Sequence, residues 1–445
     1  MNVAFCFRLT PAKIVLRGFL ALILFGTCLL MLPAASVQPG GAGFLTAFFT
    51  ATSATCVTGL IVLDTATGWT LFGQLVILTL IQIGGMGVVT VAVSLSQIAG
   101  KRIGLASRFL LQESIGAPQI GGIIRLLRFI LRMTLTFEGI GACLFAIRFV
   151  PQYGLLRGIW YSVFHAISAF CNAGFDLMGH RAPFSSLTGY VGDPLVNCTT
   201  MALIVVGGIG FFVWEDLSKN KFHFRAYTLQ TKLVLTVTGL LIVLPTLWFF
   251  CWEFDSWDLT LGQRFWASLF QAVSPRTAGF NTVDLAQLNG GSKLLTICLM
   301  LVGGSPSSTA GGIKTTTLAI LLLSVRAGFK GNNEVHCYGR KIPQQVILRA
   351  LVVTVLYGAM FLVAGLCISQ LEPILLSESL FECASAIGTV GLTLGVTNQL
   401  HGVSQLILIL LMYFGRVGGL TMVYAVSGGS KRPRHTYPEE SIGIG

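Results

Sequence analysis

Four times along this chain of 445 residues, a phenylalanine is followed four residues later by a serine and, five or six residues after that, by a glycine. The copies are Phe49, Ser53 and Gly59; Phe164, Ser168 and Gly174; Phe270, Ser274 and Gly279; and Phe381, Ser385 and Gly391. The glycines recur at intervals of 115, 105 and 112 residues, each close to a quarter of the chain. One glycine in an apolar segment reads as a helix-packing residue. Four in register behind the same Phe-x-x-x-Ser do not. Four quasi-equivalent elements can surround one axis, and in a ring of four backbone loops carbonyl oxygens can replace the water shell of an ion. The repeat therefore predicts one pore from one chain.

The composition agrees with a bilayer setting. With 54% hydrophobic and 10% charged residues the chain is far from a soluble globular domain. Apolar stretches long enough to cross a membrane run near 14–32, 71–98, 129–150, 191–214, 231–252, 294–325, 345–369 and 403–426. A shorter apolar segment precedes each repeat glycine and reads as re-entrant. The expectation is an all-α polytopic membrane protein with eight spans and four half-spans around a central pore.

The net charge of +12 suggests nucleic acid until its distribution is examined. Lys and Arg gather in alternate connections: Arg8, Lys13 and Arg17; Lys101, Arg102 and Arg108; Lys219, Lys221 and Arg225; Arg326, Arg340 and Lys341; Lys431, Arg432 and Arg434. Most acids, Asp64, Asp176, Asp193, Glu253 and Glu372 among them, lie in the connections between. Positive-inside topology then puts both termini in the cytoplasm and the glycine loops entering from outside, with no nucleic-acid partner implied. The 11 cysteines show no paired spacing and read as small hydrophobes, not as a disulfide framework or metal site. A signal-peptide reading of the first apolar segment would leave the first repeat without its leading helix.

Each unit reads helix, half-helix, glycine loop, helix, over residues 10–100, 120–218, 228–326 and 345–428, with a polar cytoplasmic tail at 429–445. All four share one orientation, unlike the inverted pairs of many secondary transporters. A second signal keeps the same register. Gly84-Gly85-Met86-Gly87, Gly207-Gly208-Ile209-Gly210 and Gly303-Gly304-Ser305-Pro306 begin 25, 33 and 24 residues beyond their loop glycines. In the fourth unit the place 24 residues on reads Gly415-Arg416-Val417-Gly418. Small residues there let helices approach closely. The run from Gly304 to Thr315 resembles a phosphate loop, but Ile313 separates its last glycine from Lys314 and no βαβ unit surrounds it.

The coordinating carbonyls are expected from Val57, Thr58 and Gly59; Asn172, Ala173 and Gly174; Thr277, Ala278 and Gly279; and Thr389, Val390 and Gly391. Uncharged carbonyls bind K⁺ yet release it. Glycine suits a backbone that must take left-handed or extended dihedrals, and each half-helix would aim its negative C-terminal end at the ion. The third unit's last helix is interrupted at 303–317, with Gly304, Ser305, Ser307, Ser308, Thr309, Gly311 and Gly312 in the run. Such a segment is tolerated at membrane depth only when buried in protein or lining a wet cavity. It reads as an intramembrane gate, or as a passive kink. Arg416 is an intramembrane charge, costing roughly 2.5–3.5 kcal/mol on insertion scales. It reads as a latch on the loop carbonyls, or as a charge that snorkels or pairs with Glu138. Lys314 either anchors the loop or snorkels. His165 occupies a half-helix position held by Gln271 and Glu382 in later copies, which favours a structural role.

Thr58-Gly59-Leu60, Asn172-Ala173-Gly174-Phe175, Thr277-Ala278-Gly279-Phe280, Thr389-Val390-Gly391-Leu392, the run 305–317 and the lone Arg416 resemble the Ktr/Trk/HKT superfamily of potassium transporters. The likeness is closest to its Ktr-type ion-translocating membrane subunit and covers nearly the whole chain; Cys56 and Cys171 stand where relatives would carry polar residues. The resemblance implies potassium uptake across a bacterial cytoplasmic membrane. It also implies a homodimer in lipid and a separate cytoplasmic ring of nucleotide-binding RCK-type regulatory subunits, with no cofactor bound by this chain. In the superfamily a serine at the first glycine position accompanies sodium preference, so Gly59 leans toward K⁺. Two alternatives stand beside this reading. One is a Na⁺-permeable or Na⁺-coupled carrier. The other is a polytopic membrane enzyme, although the six histidines have no ligand spacing.

Overall fold

The computed structural model describes residues 11–98, 103–116, 119, 121–221, 223–332 and 334–418. Arg8, Lys101, Arg102, the cluster Lys431, Arg432 and Arg434, the end of the fourth unit and the tail 429–445 lie outside the described residues.

The first quarter runs α1 (Pro11–Leu30), α2 (Phe44–Cys56), the single turn α3 (Thr65–Gly68), α4 (Leu71–Met86) and α5 (Val88–Ile98). A short helix α6 (Leu105–Ile115) leads to α7 (Ile123–Tyr153), α8 (Leu155–Phe170), α9 (Pro194–Ile209) and α10 (Phe211–Asn220). The third quarter holds α11 (Leu229–Trp248), α12 (Leu261–Val273), α13 (Gly290–Leu301) and α14 (Thr315–Phe329). The fourth holds α15 (Gln344–Leu371), α16 (Leu376–Gly388) and α17 (Gly402–Val417). Between α14 and α15 lies a hairpin of two-residue strands, β1 (His336–Cys337) and β2 (Arg340–Lys341), a minor exception to the helices of the described residues.

Local chemistry starts and stops these helices. Asp193 accepts from the amides of Leu195 and Val196 ahead of Pro194, which occupies the first helical position without wasting a donor. Thr260 and Gln263 form a reciprocal capping box at the start of α12. Outward-facing positions carry large apolar side chains, including Leu240, Val243, Leu244 and Leu247 on α11 and Val355, Leu362, Val363 and Leu366 on α15. Apolar surface on this scale suits lipid, not water.

In the first two quarters the second span is bent at a glycine. α4 and α5 meet at 96° and α9 and α10 at 95°. The hinge residues share one conformation: Gly87 at φ 88°, ψ 132° and Gly210 at φ 99°, ψ 145°. No L side chain adopts it readily. Gly418, after α17, takes φ 88°, ψ 136°. The expectation placed a break in the last helix of the third unit; the bends at Gly87 and Gly210 add two more. Among the described residues four helices are long and apolar enough to cross a membrane alone, or six if each bent pair counts as one. The remaining crossings fall on shorter pieces, α13 with α14 and α17. The first glycine of three of the quartets lets a helix approach closely. A Cβ at Gly84 would lie 2.0 Å from Thr55 O, at Gly207 2.0 Å from Phe170 O, and at Gly415 2.2 Å from Ile387 O.

Each half-helix packs on the second helix of the preceding quarter: α8 on α4, α12 on α9, α16 on α13 and α2 on α17. The last contact closes the circle. At the far end of two quarters, an acid ending the first helix holds the start of the second. The Asn289 amide donates to Glu253 Oε1 (3.2 Å), and the His401 amide donates to Glu372 Oε1 (2.8 Å). His401 Nδ1 lies 2.7 Å from Glu372 Oε2, whose side chain is 3% exposed.

Burial works against ionisation of Glu372, but the hydrogen bonds it accepts, those from His401 among them, outweigh it and hold its titration below the ordinary glutamate range. A depressed carboxylate contributes stability that is complete above the unfolded value of about 4.3 and is lost as pH falls through the lower folded value. The melting temperature in detergent is therefore expected to drop as pH falls below about 5, and to do so less steeply in Glu372→Gln. Identical slopes in the two proteins would remove Glu372 from this account.

Candidate functional site

Each half-helix ends in a three-residue segment whose first and third members have positive φ. The first members are Val57 (57°), Asn172 (58°), Thr277 (81°) and Thr389 (51°), and the third are Gly59 (91°), Gly174 (67°), Gly279 (80°) and Gly391 (97°). Three of the first group are β-branched, for which the left-handed region is strained. Strain repeated at one position in every quarter is a mark of function.

These segments form a closed ring. A Cβ on Gly59 would lie 2.5 Å from Ala173 O, on Gly174 2.7 Å from Ala278 O, on Gly279 2.2 Å from Val390 O, and on Gly391 2.3 Å from Thr58 O. Each glycine thus faces the middle carbonyl of the next quarter, and the fourth faces the first. Backbone this tightly apposed leaves no room for a side chain.

The motif residues explain themselves here. Phe49, Phe164, Phe270 and Phe381 are buried. The serines brace the ring in two ways. Gly59 N donates to Ser53 Oγ (3.1 Å) and Gly391 N to Ser385 Oγ (3.0 Å). In the middle quarters the hydroxyl donates instead: Ser168 to Phe175 O (2.7 Å) and Ser274 to Phe280 O. In the second and fourth quarters the residue after the phenylalanine supports the next stretch outward. His165 Nε2 accepts from Leu177 N (3.4 Å), and Glu382 Oε1 accepts from Leu394 N (3.2 Å), each three residues beyond its ring glycine. With Nε2 accepting, His165 Nδ1 carries the proton and donates to Tyr161 O (2.7 Å). The Asn172 amide donates to Ala169 O (3.0 Å) and accepts from the Thr277 hydroxyl (3.2 Å), tying the second segment to the third.

On one side of the ring the interruption between α13 and α14 folds into the centre of the molecule. Gly303 N donates to Ile313 O (2.8 Å) and Thr315 N to Gly304 O (3.1 Å), closing the base of the loop, and Gly312 turns it at φ 67°. Ser305 Oγ meets Thr315 Oγ1 (2.9 Å), and Ser308 Oγ donates to Ser305 O (2.7 Å). Ser307 Oγ donates to Ile115 O (2.5 Å) at the end of α6. The single Thr309 hydroxyl proton is shared between Phe170 O and Gly207 O, each 3.1 Å from Oγ1. A Cβ at Gly311 would strike Thr389 Oγ1 at 2.1 Å, so the loop lies against the ring itself.

Two cations hold this loop. Lys314 Nζ donates to Ala310 O (2.7 Å) and Gly311 O (3.3 Å). Arg416 donates to Thr309 O through Nη1, and through Nη2 to Gly84 O and Gly85 O (2.9 Å). Glu138 is taken by Gln82, whose Nε2 donates at 3.0 and 3.3 Å, and Cys171 Sγ donates to Gln82 Oε1 (3.6 Å). The carbonyl acceptors Gly84, Gly85 and Phe170 were not singled out from sequence. Their signal was the alignment of Arg416 with Gly85, Gly208 and Gly304. Below the loop lies a cavity of about 340 Å³, with Arg416, Lys314 and Glu113 in its wall. Among the described residues no group of three His, Cys, Asp or Glu is placed to hold a metal ion.

The family model for TrkH cation transport proteins matches residues 11–429. This chain belongs to that family. Its members are transport proteins, which removes the membrane-enzyme alternative. The chain is 42% identical over 445 residues to the Ktr system potassium uptake protein B of Bacillus subtilis, covering 98% of this chain and 97% of that one. It is 40% identical over 447 residues to the potassium/sodium uptake protein NtpJ of Enterococcus hirae, covering 98% of each. The crystal structure of the potassium transporter TrkH from Vibrio parahaemolyticus shares the fold, with a TM-score of 0.70 at 20% identity over 91% of this chain and 84% of that one. The family assignment makes this a polytopic membrane transporter, in line with the resemblance to the Ktr/Trk group.

Proposed function

We propose that this chain takes up K⁺ through the ring of Gly59, Gly174, Gly279 and Gly391. The observation that carries the reading is the cyclic contact of each glycine with the neighbouring quarter's carbonyl. Such a ring supplies uncharged oxygens around one axis. Relatives named for potassium uptake at 40% identity and above support the choice of ion. The four units 10–100, 120–218, 228–326 and 345–428 surround the pore. The loop at 303–317 gates it, and Arg416 latches the loop. Transport is passive: at roughly 2.3 kcal/mol per charge per 100 mV, the membrane potential alone supports about fifty-fold accumulation.

The basic connections put both termini in the cytoplasm of a bacterial cell, the loop on the inner side and the glycine ring toward the outside. The protein acts as a homodimer on a separate RCK-type nucleotide-binding ring. A relative named as one component of a Ktr system supports the need for a second. A second reading, passage of Na⁺ as well as K⁺, is favoured by the relative named for potassium and sodium uptake.

The test is K⁺ and Na⁺ flux into proteoliposomes under an inside-negative potential. K⁺ flux is expected to exceed Na⁺ flux at least tenfold, about 1.4 kcal/mol. Gly59→Ser is expected to pass both ions with that ratio lost, because its Cβ displaces the Ala173 carbonyl. Equal flux of both ions in the unsubstituted protein selects the second reading. No flux in it or in Arg416→Ala rejects both.

A further inference from the structure

On the side of the glycine ring away from the loop, the four segments enclose a vestibule of about 180 Å³. Its lining includes Asp176, Ser186, Asn281, Thr393 and Thr397. Ser186, Asn281, Thr393 and Thr397 are hydrogen-bonded within the protein, while Asn398 also lines the vestibule and is exposed. Ser186 Oγ accepts from Asn281 N (3.2 Å), and Asn281 Nδ2 donates to Val283 O (3.0 Å). The hydroxyls of Thr393 and Thr397 each donate to the Glu382 carboxylate behind them (2.5 Å).

Asp176 differs. It is the one ionisable side chain in the vestibule lining. Its Oδ1 accepts from Met178 N (2.8 Å), and Oδ2 makes no hydrogen bond among the described residues. Asp64 lies close enough to interact electrostatically with it, but is spent on the amides of Ala66, Thr67 and Phe184. An acid with a free oxygen therefore opens on the cavity that leads to the ring, two residues beyond Gly174.

Position gives that oxygen a task. The basic residues behind the net +12 lie mostly in the connections read as cytoplasmic, so the outer approach to the ring is set by the acidic connections, and Asp176 is the acid that lines it. Burial pushes the Asp176 titration up to about 7, so above that pH it is a carboxylate in a cleft with low-dielectric walls, which raises the local cation concentration with effects of tenfold or more on capture. Asp176 lies two residues beyond Gly174 and outside the three-residue ring segment, so its role is to attract the ion while the ring makes the selection.

We propose that Asp176 makes this vestibule a binding station for a hydrated monovalent cation about to enter the ring, an inference that rests on the transport reading above. The experiment compares initial K⁺ uptake by the unsubstituted protein, Asp176→Asn and Asp176→Glu in proteoliposomes over a range of K⁺ concentrations at low ionic strength. Asparagine keeps an oxygen for Met178 N, so the loop is retained. The expected result is a KM for K⁺ about tenfold higher in Asp176→Asn, with Vmax within about twofold and the K⁺/Na⁺ ratio unchanged. Glutamate restores KM, and added N-methylglucamine chloride narrows the gap between wild type and asparagine by screening. An unchanged KM in Asp176→Asn overturns the station while leaving the pore intact. A Vmax or selectivity collapse in both variants overturns it in favour of a loop-holding role. Absence of K⁺ flux in the unsubstituted protein is the separate failure that takes the transport reading with it.

Discussion

Gly279→Ala is expected to reduce K⁺ flux by about a hundredfold. Two costs combine at this position. Its φ of 80° places an L side chain in the left-handed region, at about 1–2 kcal/mol. The added Cβ would sit 2.2 Å from Val390 O, a backbone atom that cannot rotate away as a flexible side chain could. Overpacking of this kind costs about 1–3 kcal/mol, and near 1.4 kcal/mol per tenfold the sum approaches two orders of magnitude. The displaced atom is itself one of the carbonyls proposed to hold the ion, so the loss falls on conduction rather than on folding alone. Gly40→Ala is the control: its φ is 89°, yet nothing lies within 4 Å of the added carbon. Proteoliposome flux should be near normal in that variant. If both substitutions lower flux equally, backbone strain and not the ring contact accounts for the effect.

Arg416→Ala is expected to raise K⁺ leak through the isolated protein by at least tenfold. The guanidinium joins the loop at Thr309 O to the end of α4 at Gly84 O and Gly85 O. Hydrogen bonds from a charged group contribute about 1.5–3 kcal/mol, enough to shift a closed-to-open balance by ten- to a hundredfold. Lys314 still holds Ala310 O and Gly311 O in the variant, so the loop keeps its shape while losing its tether. Arg416→Lys should fall between, because a point ammonium cannot fork across three carbonyls. Release of the loop would also withdraw the Thr309 hydroxyl from Phe170 O, next to the ring segment at Cys171 and Asn172. Unchanged leak with a lowered melting temperature would make Arg416 a structural staple instead.

Much of the centre of this protein was legible from residue order because its geometry is local. A half-helix, a serine bracing the segment that follows it, and a glycine in the left-handed region all lie within about ten residues, so the spacing of Phe49, Ser53 and Gly59 carries them. The odd member was visible for the same reason. Arg416 stands where the other quarters have Gly85, Gly208 and Gly304.

The hinges were harder to read. A glycine in an apolar helix either admits a neighbour or breaks the rod. Gly84 does the first and Gly87 the second, three residues apart in one quartet. The pattern contains both residues but not which of them turns to positive φ. The serines pose the same difficulty, since one motif serves as acceptor at Ser53 and donor at Ser168.

By itself the amino-acid sequence determined a fourfold, membrane-embedded helical chain with a glycine at each turn toward the centre and one arginine out of pattern. Only the tertiary structure decided that Gly391 closes on Thr58, that Arg416 reaches back 332 residues to Gly84, and that Glu138 is held by Gln82 rather than by Arg416. Short-range hydrogen bonds follow from spacing along the backbone. The partner of a long-range donor is whichever acceptor close packing brings within about 3 Å, and that depends on how all four quarters fit together at once.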